Sequence, residues 1–160
     1  MAASEPLGTY LNDHLAGAAT GSELAKKLSE ENAGGRYGSF LAELATDIEQ
    51  DRLTLAELMD RLNIERSTVK QAAGWISEKL TRVKFSESVT GSADLKRLLE
   101  FETLSLGIEG KQAMWRSLRQ VSDRYPELAA ADLDALAKRA EAQRSGLEEH
   151  RLDAARKSLG

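Results

Sequence analysis

The chain predicts an all-α protein: four long amphipathic helices pairing as two antiparallel hairpins, with a short additional helix in the crossover between them. Three observations carry this. Apolar residues recur at helical spacing over most of the 160 residues. Only two prolines, Pro6 and Pro126, stand in the whole chain, so no proline between them has to break a helix. No stretch alternates apolar and polar residues with the period of a strand.

The first helix is expected from about Pro6 to Glu31, since proline suits a first helical turn and Leu7, Leu11, Leu15, Leu24 and Leu28 form a stripe. Its middle, 16–21, is built of small residues, which admits a close neighbouring helix or leaves room for something bound. Gly34-Gly35 breaks the chain into a turn. The second helix, about Tyr37 to Leu62, carries Leu41, Leu44, Ile48, Leu55 and Leu58, and Asn63 can take the left-handed conformation that closes it. A third, shorter helix begins near Thr68, with Val69, Ala73, Ile76, Leu80 and Val83 on one face, and 85–91 reads as a loop. Ser92 caps the fourth helix, about Ala93 to Val121, with Asp94 in its first turn where the helix dipole favours an anion. That helix is apolar nearly all round and is expected at the centre. Asp123 to Pro126 makes the last turn, and a final helix runs to about Leu159. Two hairpins joined by one crossover give the connectivity of a ferritin-like four-helix bundle, a single domain over 1–160.

Composition excludes several classes of function. Without cysteine there are no disulfides, thiolate zinc sites or thiol nucleophiles. Hydrophobic residues make up 41% and charged residues 30%, the balance of a folded globular protein. A net charge of −4 and a pI near 5.3 repel polyphosphate as a whole. Neither a secretory leader nor an apolar run of about 20 residues is visible, so the expectation is a cytoplasmic protein with no membrane role. Ser-His-Asp arrangements, phosphate loops and EF-hand loops are missing too, and with them any basis for acyl-transfer or nucleotide chemistry.

The informative residues are polar ones on apolar stripes. His14 stands among Leu7, Leu11 and Ala18, and Asp51 among Leu44, Ile48, Leu55 and Leu58. Such groups cost several kcal/mol when desolvated unless paired or bound to a metal. Asp47 lies one turn before Asp51, and Glu102 and Glu109 lie beside Leu95, Leu99, Leu106 and Ala113, with Lys111 close by. His14, Asp47, Asp51 and Glu102 could therefore converge on a divalent iron or manganese site, since a ferritin-like di-metal centre takes carboxylates from several helices and Glu-x-x-His from two. No histidine follows a carboxylate at that spacing. The competing expectation is a buried ionic network in which Lys79 or Lys111 neutralises Asp51 and Glu102, with His14 hydrogen-bonded inside. Gly107 and Gly110 suggest close backbone approach to a neighbour, and Trp75 and Trp115 read as core or interface packing. The run Glu148 to Arg151 reads as a solvated face with one inward member.

Residues 55–70 resemble a helix-turn-helix, with Asn63 at the turn and Arg66, Ser67, Thr68 and Lys70 opening a recognition helix. The stripe reaching back to Tyr37, the presence of Met59 where a small residue is wanted, and the overall acidity weigh against nucleic-acid binding. More broadly, Tyr10 to Gly17, Asp51-Arg52, Trp75 with Glu78-Lys79, Glu100 to Glu102 with Gly107 to Lys111, and Gln143 to Arg151 resemble a family of uncharacterised small helical proteins of actinobacterial type. A more distant likeness is to the stress-related branch of ferritin-like bundles, whose second helix carries His-x-x-Glu. Here that pair falls on Leu44 and Asp47, so the resemblance implies a degenerate metal site. The expected function is that of a non-catalytic structural or interaction module. Its partner would be another protein or a second copy in a homodimer. Divalent-metal binding and helix-turn-helix DNA binding stand as alternatives.

Overall fold

A computed structural model describes residues 2–67 and 91–160. The described residues are all-helical, with four long helices and no strand. These are α1 (Glu5–Glu31), α2 (Gly38–Arg61), α3 (Ala93–Val121) and α4 (Leu133–Leu159), with a 3-10 turn at Pro126–Ala130. The short helix expected from Thr68, together with Trp75, Lys79 and most of the 85–91 loop, lies outside the described residues.

Local chemistry explains the helix ends. Ser4 Oγ accepts from Leu7 N (3.3 Å) at the start of α1, and Ser92 Oγ accepts from Leu95 N (3.2 Å) at the start of α3. Asn63, at φ 54°, ends α2, and Ile64 N returns to Met59 O at 2.9 Å, satisfying a carbonyl that the helix leaves unpaired. The turn between α1 and α2 is tight at Gly38, where a Cβ would stand 2.6 Å from Asn32 O. The final helix starts later than Pro126 alone suggests. Proline opens one 3-10 turn, and α4 begins only where Asp132 accepts from Ala135 N at 3.0 Å.

Side-chain pairs fix the packing directions. Ser22 donates to Glu49 (2.5 Å) and Asn12 donates to Glu65 O (3.0 Å), so α1 and α2 are antiparallel. Arg151–Glu102 (3.3 Å), Arg144–Glu109 (3.2 Å) and Arg119–Asp134 (3.5 Å) make α3 and α4 antiparallel. Lys27–Glu100 and Arg97–Glu31 set α1 against α3, also antiparallel. Tyr37 meets Phe101 edge-to-face, and fourteen residues along α2 Asp51 meets Lys111 of α3, so these two helices run parallel. The end of α2 and the start of α3 therefore lie at opposite ends of the bundle.

Among the described residues the core consists of two apolar clusters. One gathers Leu28, Leu41, Leu44, Phe101, Leu104 and Leu147; the other gathers Leu11, Leu55, Met59, Met114, Trp115 and Leu118. Asp51 lies in sequence between Ile48 of the first and Leu55 of the second, and Lys111 lies between Ile108 and Met114. A polar layer thus interrupts the hydrophobic interior partway along the bundle. Among the described residues no helix is long and apolar enough to cross a membrane.

Candidate functional site

Asp51 is the centre of that layer and is only 2% exposed. Its position follows from α2's periodicity, which puts residue 51 on the stripe of Leu44, Ile48, Leu55 and Leu58. Three side chains from two other helices meet its carboxylate. Lys111 Nζ of α3 donates to Oδ2 at 2.6 Å, Gln143 Nε2 of α4 donates to the same oxygen at 3.2 Å, and Arg139 Nη2 donates to Oδ1 at 2.7 Å. Lys111 also donates to Gln143 Oε1 at 2.6 Å, and Arg139 to the Asp47 carbonyl at 2.9 Å. One carboxylate thus serves two cations, and both its oxygens are occupied. Burial pulls the Lys111 ammonium below the usual lysine range, and the Asp51 charge pulls it part of the way back.

The other candidate metal ligands do not bring their side chains to the Asp51 carboxylate, although His14 shares with Asp51 the lining of one cleft between α1 and α3. His14 is half-buried on α1 with its ring edge-to-face against Tyr10 (4.6 Å between centroids), and burial lowers its pKa against the opposing influence of Asp13. Asp47 contributes its backbone carbonyl to the layer. Glu102 does not join Asp51: its side chain is 44% exposed and pairs with Arg151. The stripe expected to bury it proves to be the outer one, because Leu106 is 52% exposed and Ala113 is exposed. Packing buries Leu98, Phe101, Leu104, Ile108 and Trp115 instead, and with them Glu100. Among the described residues no three His, Asp or Glu side chains form a group that could hold a metal. The donor set does not fit a divalent cation, since an ammonium and a guanidinium already occupy the Asp51 oxygens. Of the run 148–151, His150 is the inward member, stacked on Phe40 at 4.2 Å.

Arg139 and Gln143 escape a reading of α4 by itself. The available signal is spacing, since Gln143 sits three residues after Ala140 and four before Leu147, both fully buried. Around the proposed helix-turn-helix, α2 continues unbroken from Gly38 to Arg61, Arg66 is ion-paired with Asp60, and Ser67 N donates to Asn12 Oδ1 at 2.8 Å. The recognition helix from Thr68 onward lies outside the described residues.

Next to the polar layer α1 and α3 part to leave a cleft of about 230 Å³, walled by Gly17, Ala18 and Gly21 on one side and Thr103, Gly107 and Gly110 on the other. A Cβ added at Gly21, Gly107 or Gly110 would meet nothing within 4 Å. The close backbone approach expected at Gly107 and Gly110 is therefore not made; these glycines border open space. Leu104, Ile108 and Met114 line the cleft with Asp51, Lys111 and Trp115, and the fully buried Trp115 has an indole N–H with no acceptor among the described residues. No known protein family, curated protein or solved structure matches the chain.

Proposed function

We propose that this chain is a non-catalytic helical module of ferritin-like connectivity, in which ion pairs stand where a metal centre would otherwise lie. The observation that carries the reading is the Asp51 carboxylate, held at 2.6 Å by Lys111 and at 2.7 Å by Arg139. A divalent cation there would have to displace a lysine and strand it in an apolar interior, at a cost of several kcal/mol. The connectivity is supported by the parallel course of α2 and α3, which belongs to bundles with one long crossover and not to simple up-down ones. The resemblance to the uncharacterised actinobacterial-type family is consistent with this, because the segments behind it contain Asp51, Glu100, Lys111 and Gln143. A stress-related setting and action through a protein partner or a second copy rest on resemblance.

Elemental analysis of the purified protein, repeated after incubation with ferrous iron, manganese and zinc, tests the reading. The expected outcome is no stoichiometric metal under any condition. One or two metals per chain, lost in Asp51→Ala, would overturn it and make the metal-binding alternative the correct one.

A further inference from the structure

The cleft beside the polar layer has the attributes of a small-molecule site. Glycine in a helix interior is unfavourable, because its backbone is freer in the unfolded chain. Gly21, Gly107 and Gly110 repay that with no close helix contact, and what they leave is accessible space. The space is lined mainly by apolar side chains, and its charged groups are unevenly satisfied. Arg52 at one side is held by Glu49 through Nε at 2.9 Å and Nη2 at 2.5 Å, His14 is half-buried in the wall, and Asp13 is exposed. On the floor Lys111, with its side chain only 13% exposed, shares one carboxylate with Arg139. The layer so formed has two cations hydrogen-bonded to a single anion. Asp47, whose side chain also faces Lys111 electrostatically, is partly solvated and acts only through the field. An ammonium offers three N–H donors, and Asp51 and Gln143 take two of them. An acidic group arriving from the cleft would take the third.

We propose that the cleft between α1 and α3 binds a small monocarboxylate with an apolar body, its carboxylate on Lys111 Nζ and its chain between Gly21 and Gly107. Size limits the ligand. A volume near 230 Å³ lies between the ~150 Å³ that accommodates benzene and the ~300 Å³ where drug-sized sites begin, which suits roughly ten non-hydrogen atoms. Octanoate is a molecule of that size and chemistry.

Calorimetric titration of the full chain with octanoate, 1-octanol and octylammonium tests both halves of the inference. Octanoate should bind once per chain with a Kd of roughly 10–100 µM, within the ceiling for so small a ligand. It should bind at least tenfold more tightly than octanol, and octylammonium should not bind. Gly107→Leu and Gly21→Leu, which project side chains into the open space, should each weaken octanoate at least tenfold. Lys111→Met should bring octanoate and octanol to equal affinity. Three results would overturn the proposal: no octanoate binding up to millimolar concentration, equal binding of octanol to the parent chain, or undiminished binding in both leucine variants. The comparison of ligands on the parent chain decides the head group even if Lys111→Met fails to fold.

Discussion

Asp51→Ala is the most direct perturbation of the polar layer, and its magnitude follows from the geometry. The substitution deletes hydrogen bonds of 2.6, 2.7 and 3.2 Å to Lys111, Arg139 and Gln143. The cations left behind differ in their access to water. Arg139 is 35% exposed and can turn outward, whereas the Lys111 side chain is 13% exposed and keeps only Gln143. Removing one member of a buried pair costs about 3–5 kcal/mol, and the partial rescue of Arg139 puts this case toward the lower end, about 3–4 kcal/mol. Urea unfolding followed by circular dichroism, with the same m value in both proteins, measures it. Asp51→Leu combined with Lys111→Met removes the charges together and should restore most of the loss, because apolar replacement of a buried pair is often neutral or stabilising. The pH dependence supplies a second check. The folded-state pKa of Lys111 lies below that of the unfolded chain, so the folded protein sheds this proton first as pH rises. The unfolded state then holds more protons, and stability rises with pH across that interval. Without Asp51 to hold it up, the Lys111 pKa falls further, so the deficit of Asp51→Ala should shrink as pH is raised toward 10.5. A cost below about 1 kcal/mol would refute the reasoning, since it would mean that the layer is hydrated.

Three further substitutions test features elsewhere in the bundle. Gly107→Ala, in an exposed helix interior with nothing within 4 Å of the new Cβ, should stabilise by about 0.5–1 kcal/mol in the same urea assay. Gly146→Ala should lose that gain or turn it into a deficit, because its Cβ would stand 2.8 Å from Phe40 Cε2 and that ring is stacked on His150; equal gains at both positions would mean the stack yields freely. Glu100→Gln should be more stable than the parent at pH 7. Glu100 is fully buried; among the described residues Oε2 has no hydrogen bond, with Lys27 Nζ no nearer than 3.6 Å, and Oε1 accepts one long bond of 3.4 Å from Arg97. Burial raises its pKa above 4.5 despite Arg97 and Lys27, so the folded parent binds the proton more readily and gains stability as pH falls through that raised value. The advantage of the glutamine variant should therefore close on acidification toward pH 4.5, and an advantage independent of pH would remove the argument.

What the sequence could reveal depended on how many helices a feature requires. The four long helices are legible because each carries its own period, and Ser92 and Asn63 act within a few residues of their own position. Asp51 is legible for the same reason: apolar residues at −7, −3, +4 and +7 leave one direction for its side chain. Glu102 is not, because α3 offers apolar residues on two faces and only its packing decides that Leu104 is buried and Leu106 exposed. Arg139 and Gln143 need the register of three helices at once. The glycines of α3 are ambiguous in principle, since close approach and open space both ask for the absence of a side chain. Only the distance to the neighbouring helix separates the two, and no single segment encodes it.

The place of the polar layer in the connectivity suggests why a stretch of core is given over to charge. The turn 32–37 holds α1 and α2 in register, and the 3-10 turn with the Asp132 cap does the same for α3 and α4. The two hairpins have no short connection to each other, because 62–92 separates them. Apolar packing alone tolerates sliding by a turn, since one leucine replaces another. Asp51 does not tolerate it. A shift of three or four residues along α3 would bring Ile108 or Trp115 opposite the carboxylate and leave Lys111 in apolar surroundings, with a penalty of several kcal/mol against the slipped state. The ion pairs therefore act on the interface where the chain gives least guidance, by making the alternatives worse and not by making the native state much better. This assigns the charge-free double variant two separable properties. Its urea stability should lie near that of the parent, while its amide NMR spectrum should broaden and its affinity for an apolar dye should increase. A double variant as stable as the parent and as sharply dispersed would show that the apolar clusters on either side of the layer already fix the register without it.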